Sequence, residues 1–217
     1  IRMSNITTNI KAIRDIMRKD AGVDGDAQRI SQMVWMLFLK IFADKEEEWE
    51  LVLDDYESPI DDELKWQNWA SDDEGLTGDQ LMDFINNKLF PTLKELDLSY
   101  SPQARIIRSV FEDTYNYMKN GTLFRQVINQ IDKIDFNNTT ESHLFNDIYE
   151  SILKELQSAG DAGEYYTPRA VTQFMTDIIN PQLGESMLDP ACGTGGFLTC
   201  SVGHLRKQVS TAKDRDI

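Results

Sequence analysis

The sequence is poor in the residues that carry covalent and metal chemistry, with two cysteines and two histidines among 217 residues. Cys192 and Cys200 lack the paired short spacing of metal ligands, so they read as reduced thiols, and neither a disulfide framework nor a metal site is expected. Cys192 has no histidine or lysine beside it in sequence to lower its pKa, which argues against a nucleophilic role. His143 and His204 have no nearby partner arranged for proton transfer, and both read as surface or helix residues. Positive charge is also scarce: 22 Lys and Arg stand against 37 Asp and Glu, a net of -15. Such a surface does not by itself hold a phosphate backbone. No apolar run reaches the roughly 20 residues that span a bilayer. No charged-apolar-small leader precedes the first helical pattern, so a cytoplasmic chain with no membrane contact is expected.

The negative charge is concentrated. Between Asp44 and Glu74 fourteen acids face only Lys45 and Lys65, so this stretch holds -12 of the chain's -15. It reads as a solvated acidic face, with a basic partner as the sharper alternative. Three tryptophans and Pro59 fall between Trp49 and Gly78, a pattern of loops and short turns anchored by aromatic contacts.

Elsewhere the apolar residues recur at helical spacing. Ile6, Ile10, Ile13 and Met17 mark a first helix that stops near Gly22. A second, with Asp26 as N-cap, carries Ile30, Met33, Val34, Leu37, Phe38 and Ile41, broadened by Trp35 and Met36, and reads as the centre of a bundle. Leu81, Phe84, Ile85 and Leu89 predict a helix ended by Pro91. Further helices are expected over Arg105 to Lys119, Leu123 to Ile134 and Glu141 to Gln157, with breaks at Asn120-Gly121 and Asn137-Asn138. Arg105, Arg108, Lys119, Arg125 and Lys133 form the main basic population, and any DNA-facing patch is expected there. Thr167-Pro168 predicts a capped start for a helix over Arg169 to Ile179, ended by Asn180-Pro181.

The most informative stretch is Met187-Leu188-Asp189-Pro190-Ala191-Cys192-Gly193-Thr194-Gly195-Gly196-Phe197-Leu198, which predicts a strand over Ser186 to Asp189, a glycine turn and a helix start. Glycines at 193, 195 and 196 permit positive φ and a close ligand, and the helix start presents amides to an anion. A phosphate-cradling loop needs Gly-Lys-Ser/Thr, which is absent, and the dinucleotide pattern needs glycine where Leu198 stands. An uncharged nucleoside bearing an amino acid, S-adenosylmethionine, fits better. Its carboxylate suits the helix start, and its ammonium or ribose hydroxyls suit Asp189.

Asp189-Pro190-Ala191-Cys192-Gly193-Thr194-Gly195-Gly196-Phe197 resembles motif I of amino-group DNA methyltransferases, and Gly163-Glu164-Tyr165-Tyr166-Thr167-Pro168-Arg169 resembles its companion in the N6-adenine branch. Together they resemble the modification (methyltransferase) subunit of type I restriction-modification systems, and the helical stretch before them resembles that family's N-terminal domain. The resemblance implies a mainly α architecture. A helical bundle domain over residues 4–157 would precede, over 158–217, the start of a Rossmann-like α/β methyltransferase domain. It implies S-adenosylmethionine as cofactor, held by Glu164, Tyr165, Tyr166, Thr167, Pro168, Arg169, Thr194, Gly195 and Gly196 with support from Asp189. The implied reaction is transfer of its methyl group to adenine N6 in DNA, within an assembly containing a specificity subunit and a restriction subunit.

The Asn/Asp-Pro-Pro-Tyr/Phe segment with which that family holds a flipped adenine has no counterpart here, since Asn180-Pro181-Gln182 lacks the second proline and the aromatic. No catalytic residue is therefore assigned, and the chain is expected to be an N-terminal portion of a longer protein, inactive alone. Two alternatives stand beside this reading: a helical assembly module inert in catalysis, and part of a single-chain restriction-methylation enzyme.

Overall fold

The computed structural model describes residues 2–99, 101–134, 136, 167–192 and 195–211. Its helices run in the order α1 (Arg2–Met17), α2 (Gly25–Val52), α3 (Trp66–Trp69), α4 (Gly78–Asp83), α5 (Phe90–Lys94), α6 (Pro102–Phe111), α7 (Gly121–Asp132), α8 (Arg169–Ile179) and α9 (Gly196–Arg206). A short 3-10 turn (Asp62–Leu64) and a π-helical segment (Phe84–Leu89) complete the regular structure of the described residues. The chain divides into two compact units, Ile1–Asp161 and Ala162–Ile217. The architecture is mainly α, and no strand forms among the described residues. Ser186 to Asp189, expected as a strand, carries no β-ladder, and Met187 and Leu188 are exposed. A strand exists only through a neighbour that takes its backbone bonds, and none of the described residues does so. The helix expected over Glu141 to Gln157, with His143, and the break at Asn137-Asn138 lie outside the described residues.

The first unit is built around α2. Its 28 residues bury Gln32, Met33, Trp35, Met36, Leu37, Leu39, Phe42 and Ala43, more than one stripe of the helix, while Val34 stays partly open. Trp35 is the hub. Its ring meets Phe90 at 4.9 Å, Phe124 at 5.9 Å and Phe111 at 6.3 Å, all edge-on, so three other elements converge on this one side chain of α2. α1 lies along α7 with Ile10, Ile13 and Met17 buried between them. The start of α2 falls two residues before the expected Asp26: Asp24 holds the cap position, and its amide donates to the Gln28 side-chain oxygen at 2.7 Å.

Two helix ends differ from expectation. The helix meant to stop at Pro91 continues to Lys94, because the wider π turn before it carries the chain past the missing proline amide. The Thr92 hydroxyl donates to the Lys88 carbonyl at 2.8 Å in that turn. The helix meant to reach Lys119 is capped by Ser101 and ends at Phe111. Past it, the Tyr117 amide donates to the buried Gln32 oxygen at 2.8 Å, and the Lys119 and Asn120 amides donate to the buried Asp20 carboxylate at 3.1 and 2.9 Å. These acceptors take over from helical carbonyls and hold residues 117–120 against α2 and the α1–α2 turn. Asn120 then caps α7, accepting from the amides of Thr122 and Leu123.

Arg125 is a further correction. Expected among the surface cations, it is 5 % exposed, and its guanidinium donates to the carbonyls of Leu76, Trp69, Ala70 and Asp72 at 2.7 to 3.2 Å. It closes the acidic loop from beneath, and so is structural and no part of a DNA-facing patch. The acidic face is likewise incompletely solvated. Asp44 and Glu46 are buried; Asp44 accepts from Lys40 at 2.8 Å, and Glu46 accepts from the Tyr56 hydroxyl at 2.8 Å. Trp66 and Trp69 are buried as aromatic anchors, their indole N–H groups donating to Asp132 at 2.7 Å and to the Leu64 carbonyl at 3.0 Å.

Candidate cofactor-binding site

The second unit rests on two helices that lie side by side. Near their starts, Cγ2 of Thr172 is 3.6 Å from the position a Cβ on Gly196 would take, and the Thr172 hydroxyl lies 3.3 Å from the Cys200 sulfur. Further along both, Asp177 Oδ1 meets His204 Nδ1 at 3.1 Å, and the Asn180 side-chain oxygen meets His204 Nε2 at 2.8 Å. Contacts that advance together along both helices mean that α8 and α9 run in the same direction. Their N-termini therefore open at one end, where two helix starts and two positive dipole ends coincide.

Small polar side chains make this pairing possible. Thr172, Thr176, Cys200 and Ser201 are buried, while Phe174, Ile178 and Ile179 on α8 are exposed. His204 thus has two partners, contrary to the sequence reading, and ties the last turns together. The Gln173 amide and then the His204 ring hold the Asp177 carboxyl below the ordinary carboxylate range. The far ends are fastened by Gln208, which donates to the Pro181 carbonyl at 2.7 Å and accepts from the Leu183 amide at 3.3 Å.

The expected site residues fall as follows. α8 begins at Arg169 as expected, but the cap position is held by Pro168 instead of Thr167, because Pro168 keeps an extended ψ of 139 and hands its carbonyl to the amides of Val171 and Thr172. α8 ends at Asn180, whose φ of 51 is left-handed, just before Pro181. Asp189 accepts from the Ala191 amide at 3.2 Å, which bends the chain through Pro190. Gly195 has φ 73 and ψ 23, the left-handed conformation for which glycine is suited, and its amide donates to the Cys192 carbonyl at 2.8 Å. Gly196 is the first residue of α9. Thr167, Pro168 and Arg169 are thus brought to the same end of the helix pair as Gly195 and Gly196. Glu164, Tyr165, Tyr166 and Thr194 lie outside the described residues, as does Gly193.

Sequence reading missed the Thr172–Cys200 and Asp177–His204 contacts. A signal existed for the first: Thr172 and Thr176 recur at helical spacing, as do Gly196 and Cys200, and small residues so placed let helices approach. Nothing local announced the second. Among the described residues no three of His, Cys, Asp or Glu gather in a way that could hold a metal ion, and no helix is long and apolar enough to cross a membrane.

The HsdM N-terminal domain family model matches residues 6–131, more than half of the chain. The chain belongs to the modification subunits of type I restriction enzymes. A second family model, N-6 DNA Methylase, matches residues 140–217 and so covers the helix pair and the glycine turn. The methylase subunit of the type I restriction enzyme EcoEI from Escherichia coli is 57% identical over 213 residues, which is 97% of this chain and 44% of that subunit. A modification subunit of a putative type I restriction enzyme from Vibrio vulnificus YJ016 has a closely similar structure, with TM-score 0.87 and 39% identity over 98% of this chain and 48% of that one. Another similar chain comes from structural work on complex assembly and conformational transition of the type I R-M system, with TM-score 0.74, 32% identity and 98% and 43% coverage. This chain of modification-subunit type spans under half the length of these relatives.

Proposed function

We propose that the chain is the N-terminal part of an S-adenosylmethionine-dependent DNA adenine-N6 methyltransferase subunit. In this reading residues 4–157 form the helical domain and residues 158–217 begin the cofactor-binding domain. The observation that carries it is the shared end of α8 and α9, where Thr167 to Arg169 and the left-handed Gly195 come together. The fit is chemical as well as spatial. Two helix starts favour the carboxylate of an amino acid, Gly195 offers no Cβ where a ligand must approach the backbone, and the Asp189 carboxylate lies just ahead of the turn to meet an ammonium or ribose hydroxyls.

The cofactor supplies an electrophilic methyl group. The chain's own residues bind and orient. The α8 and α9 starts would neutralise a carboxylate and Asp189 would balance a cation, while the family resemblance assigns Glu164, Tyr165, Tyr166 and Thr194 to the same cofactor. No residue of this stretch needs to form a covalent bond, and in-line transfer to an amine is served by positioning and fixed dipoles. DNA would be engaged through an assembled cytoplasmic complex with a specificity subunit and a restriction subunit, in keeping with the chain's own negative charge.

The test is calorimetry of S-adenosylmethionine binding to the full-length subunit. Gly195→Asp places an anion and a side chain in the turn, and should weaken binding by at least about a hundredfold, roughly 3 kcal/mol. Gly203→Ala, further along α9, where a Cβ would meet nothing within 4 Å, should bind within a few-fold of wild type. Unchanged affinity in Gly195→Asp would refute the assignment.

A further inference from the structure

The acidic concentration found in the sequence has a structural counterpart that the cofactor site does not use. α2 runs past the core, and its last residues Leu51 and Val52 with Leu53 just after them are 87, 73 and 50 % exposed, three large apolar side chains in succession. Beside them opens a groove of about 620 Å³, walled on one side by the chain from Val52 to Glu57 and on the other by Ser101 and Gln103 at the start of α6. Asp54, Asp55 and Glu57 stand along its rim, all exposed. The carbonyl end of α2 adds to the same negative field.

The groove is held in shape. Trp49 packs on Phe42 at 5.8 Å and on Tyr56 at 5.6 Å, and the Tyr56 hydroxyl is fixed on the buried Glu46 carboxylate, so the loop that forms the wall is tied back to the core. Such preorganisation lowers the ordering cost of binding. An exposed apolar run beside an acidic, preformed groove is a surface for something that is both apolar and cationic. Nucleic acid and anionic lipid carry the wrong charge. A second copy docked on the same patch would set Asp54, Asp55 and Glu57 against themselves.

We propose that this groove at the C-terminal end of α2 docks a basic amphipathic helix of a partner protein, with its apolar side chains on Leu51, Val52 and Leu53 and its lysines or arginines on Asp54 and Asp55. The geometry uses the helix-in-groove mode, in which apolar anchors give affinity and flanking charge gives orientation and salt dependence.

The probe is a synthetic Leu/Lys amphipathic helix of roughly 18 residues, with a Leu/Glu peptide of the same pattern as control. Binding to the full 217-residue chain is measured by calorimetry and amide chemical-shift mapping at about 0.05 M and about 0.5 M salt. The Leu/Lys peptide should bind, shift residues 51–57, 101 and 103, and weaken at high salt, while the Leu/Glu peptide should not bind. Replacing Leu51, Val52 and Leu53 together with serine, or making Asp54→Lys with Asp55→Lys, should weaken binding at least about tenfold at low salt. The same charge reversal at Asp73 and Glu74, within the acidic segment but away from the groove, should leave it within a factor of about two. Because all the altered residues are exposed, an unchanged circular dichroism spectrum and melting temperature should accompany each variant. Equal weakening by the Asp73 and Glu74 reversal, insensitivity to the serine triple, a dimer that buries residues 51–57 in light scattering, or preferential binding to anionic vesicles would each overturn the proposal.

Discussion

Replacing Arg125 with methionine tests the account of the acidic loop, because this one side chain holds four loop carbonyls. Trp69 and Ala70 are 4 % and 1 % exposed, so when the guanidinium is removed their carbonyls have no route to water. Asp72 is exposed and its carbonyl can rehydrate. Leaving two buried acceptors unpaired costs about 1 to 3 kcal/mol each. Removing a buried cation returns part of this, since burial already lowers the Arg125 pKa against the opposing charges of Asp72, Asp73 and Asp132. The net expectation is a loss of about 3 kcal/mol. Arg125→Lys keeps the charge but lacks the fork that reaches several carbonyls, and should lose about half as much. All four tryptophans lie in the first unit, at 35, 49, 66 and 69, so tryptophan fluorescence in urea reports on that unit alone. With an unchanged urea dependence, a fall in stability below about 1 kcal/mol for Arg125→Met would refute the view that the loop is held from beneath by this residue.

Three further outcomes follow from the structure. A Cβ at Gly121 would collide with the backbone carbonyl of Gly78, so Gly121→Ala must part the starts of α4 and α7 and should cost at least about 2 kcal/mol by the same urea assay. Burial, the hydrogen bond to Glu46 and the charges of Glu46 and Glu50 raise the Tyr56 pKa well above its ordinary value, so its stabilising effect is complete below about pH 10 and is lost as the pH rises beyond that. Ultraviolet titration should therefore show one tyrosine ionising above the others, absent in Tyr56→Phe and brought down in Glu46→Gln. Cys192→Ala in the full-length subunit should keep methylation within a few-fold of wild type; a loss of several orders of magnitude with cofactor affinity intact would require a thiolate mechanism.

The elements that were legible in the sequence are those whose ends are decided locally. α8 could be read from Arg169 to Ile179 because an X-Pro step at 167–168 and another at 180–181 punctuate it, and a glycine turn could be read ahead of α9, where Gly195 is left-handed although Gly196 is helical. α2 stood out as central because its apolar residues exceed one face. What could not be read was decided by distant partners. α6 ends at Phe111, and the Tyr117 and Lys119 amides expected within it go to Gln32 and Asp20, far away in sequence. Arg125 looked like any helical surface cation, and only the loop folded beneath it makes it a buried donor. The parallel pairing of α8 and α9 was hidden for another reason. It is made by threonines, a cysteine and a histidine, whereas periodicity arguments look for apolar contact, and the apolar residues of α8 point away from it.

The central claim is that the starts of α8 and α9 form one cofactor site, and hydrogen exchange on the full-length subunit with and without S-adenosylmethionine tests it most directly. The account predicts that amides of residues 167–172 and 195–199 gain protection together, at the same cofactor concentration, with Gly195→Asp abolishing both. Protection of only one of the two segments, or protection that appears elsewhere and leaves both unchanged, would contradict it.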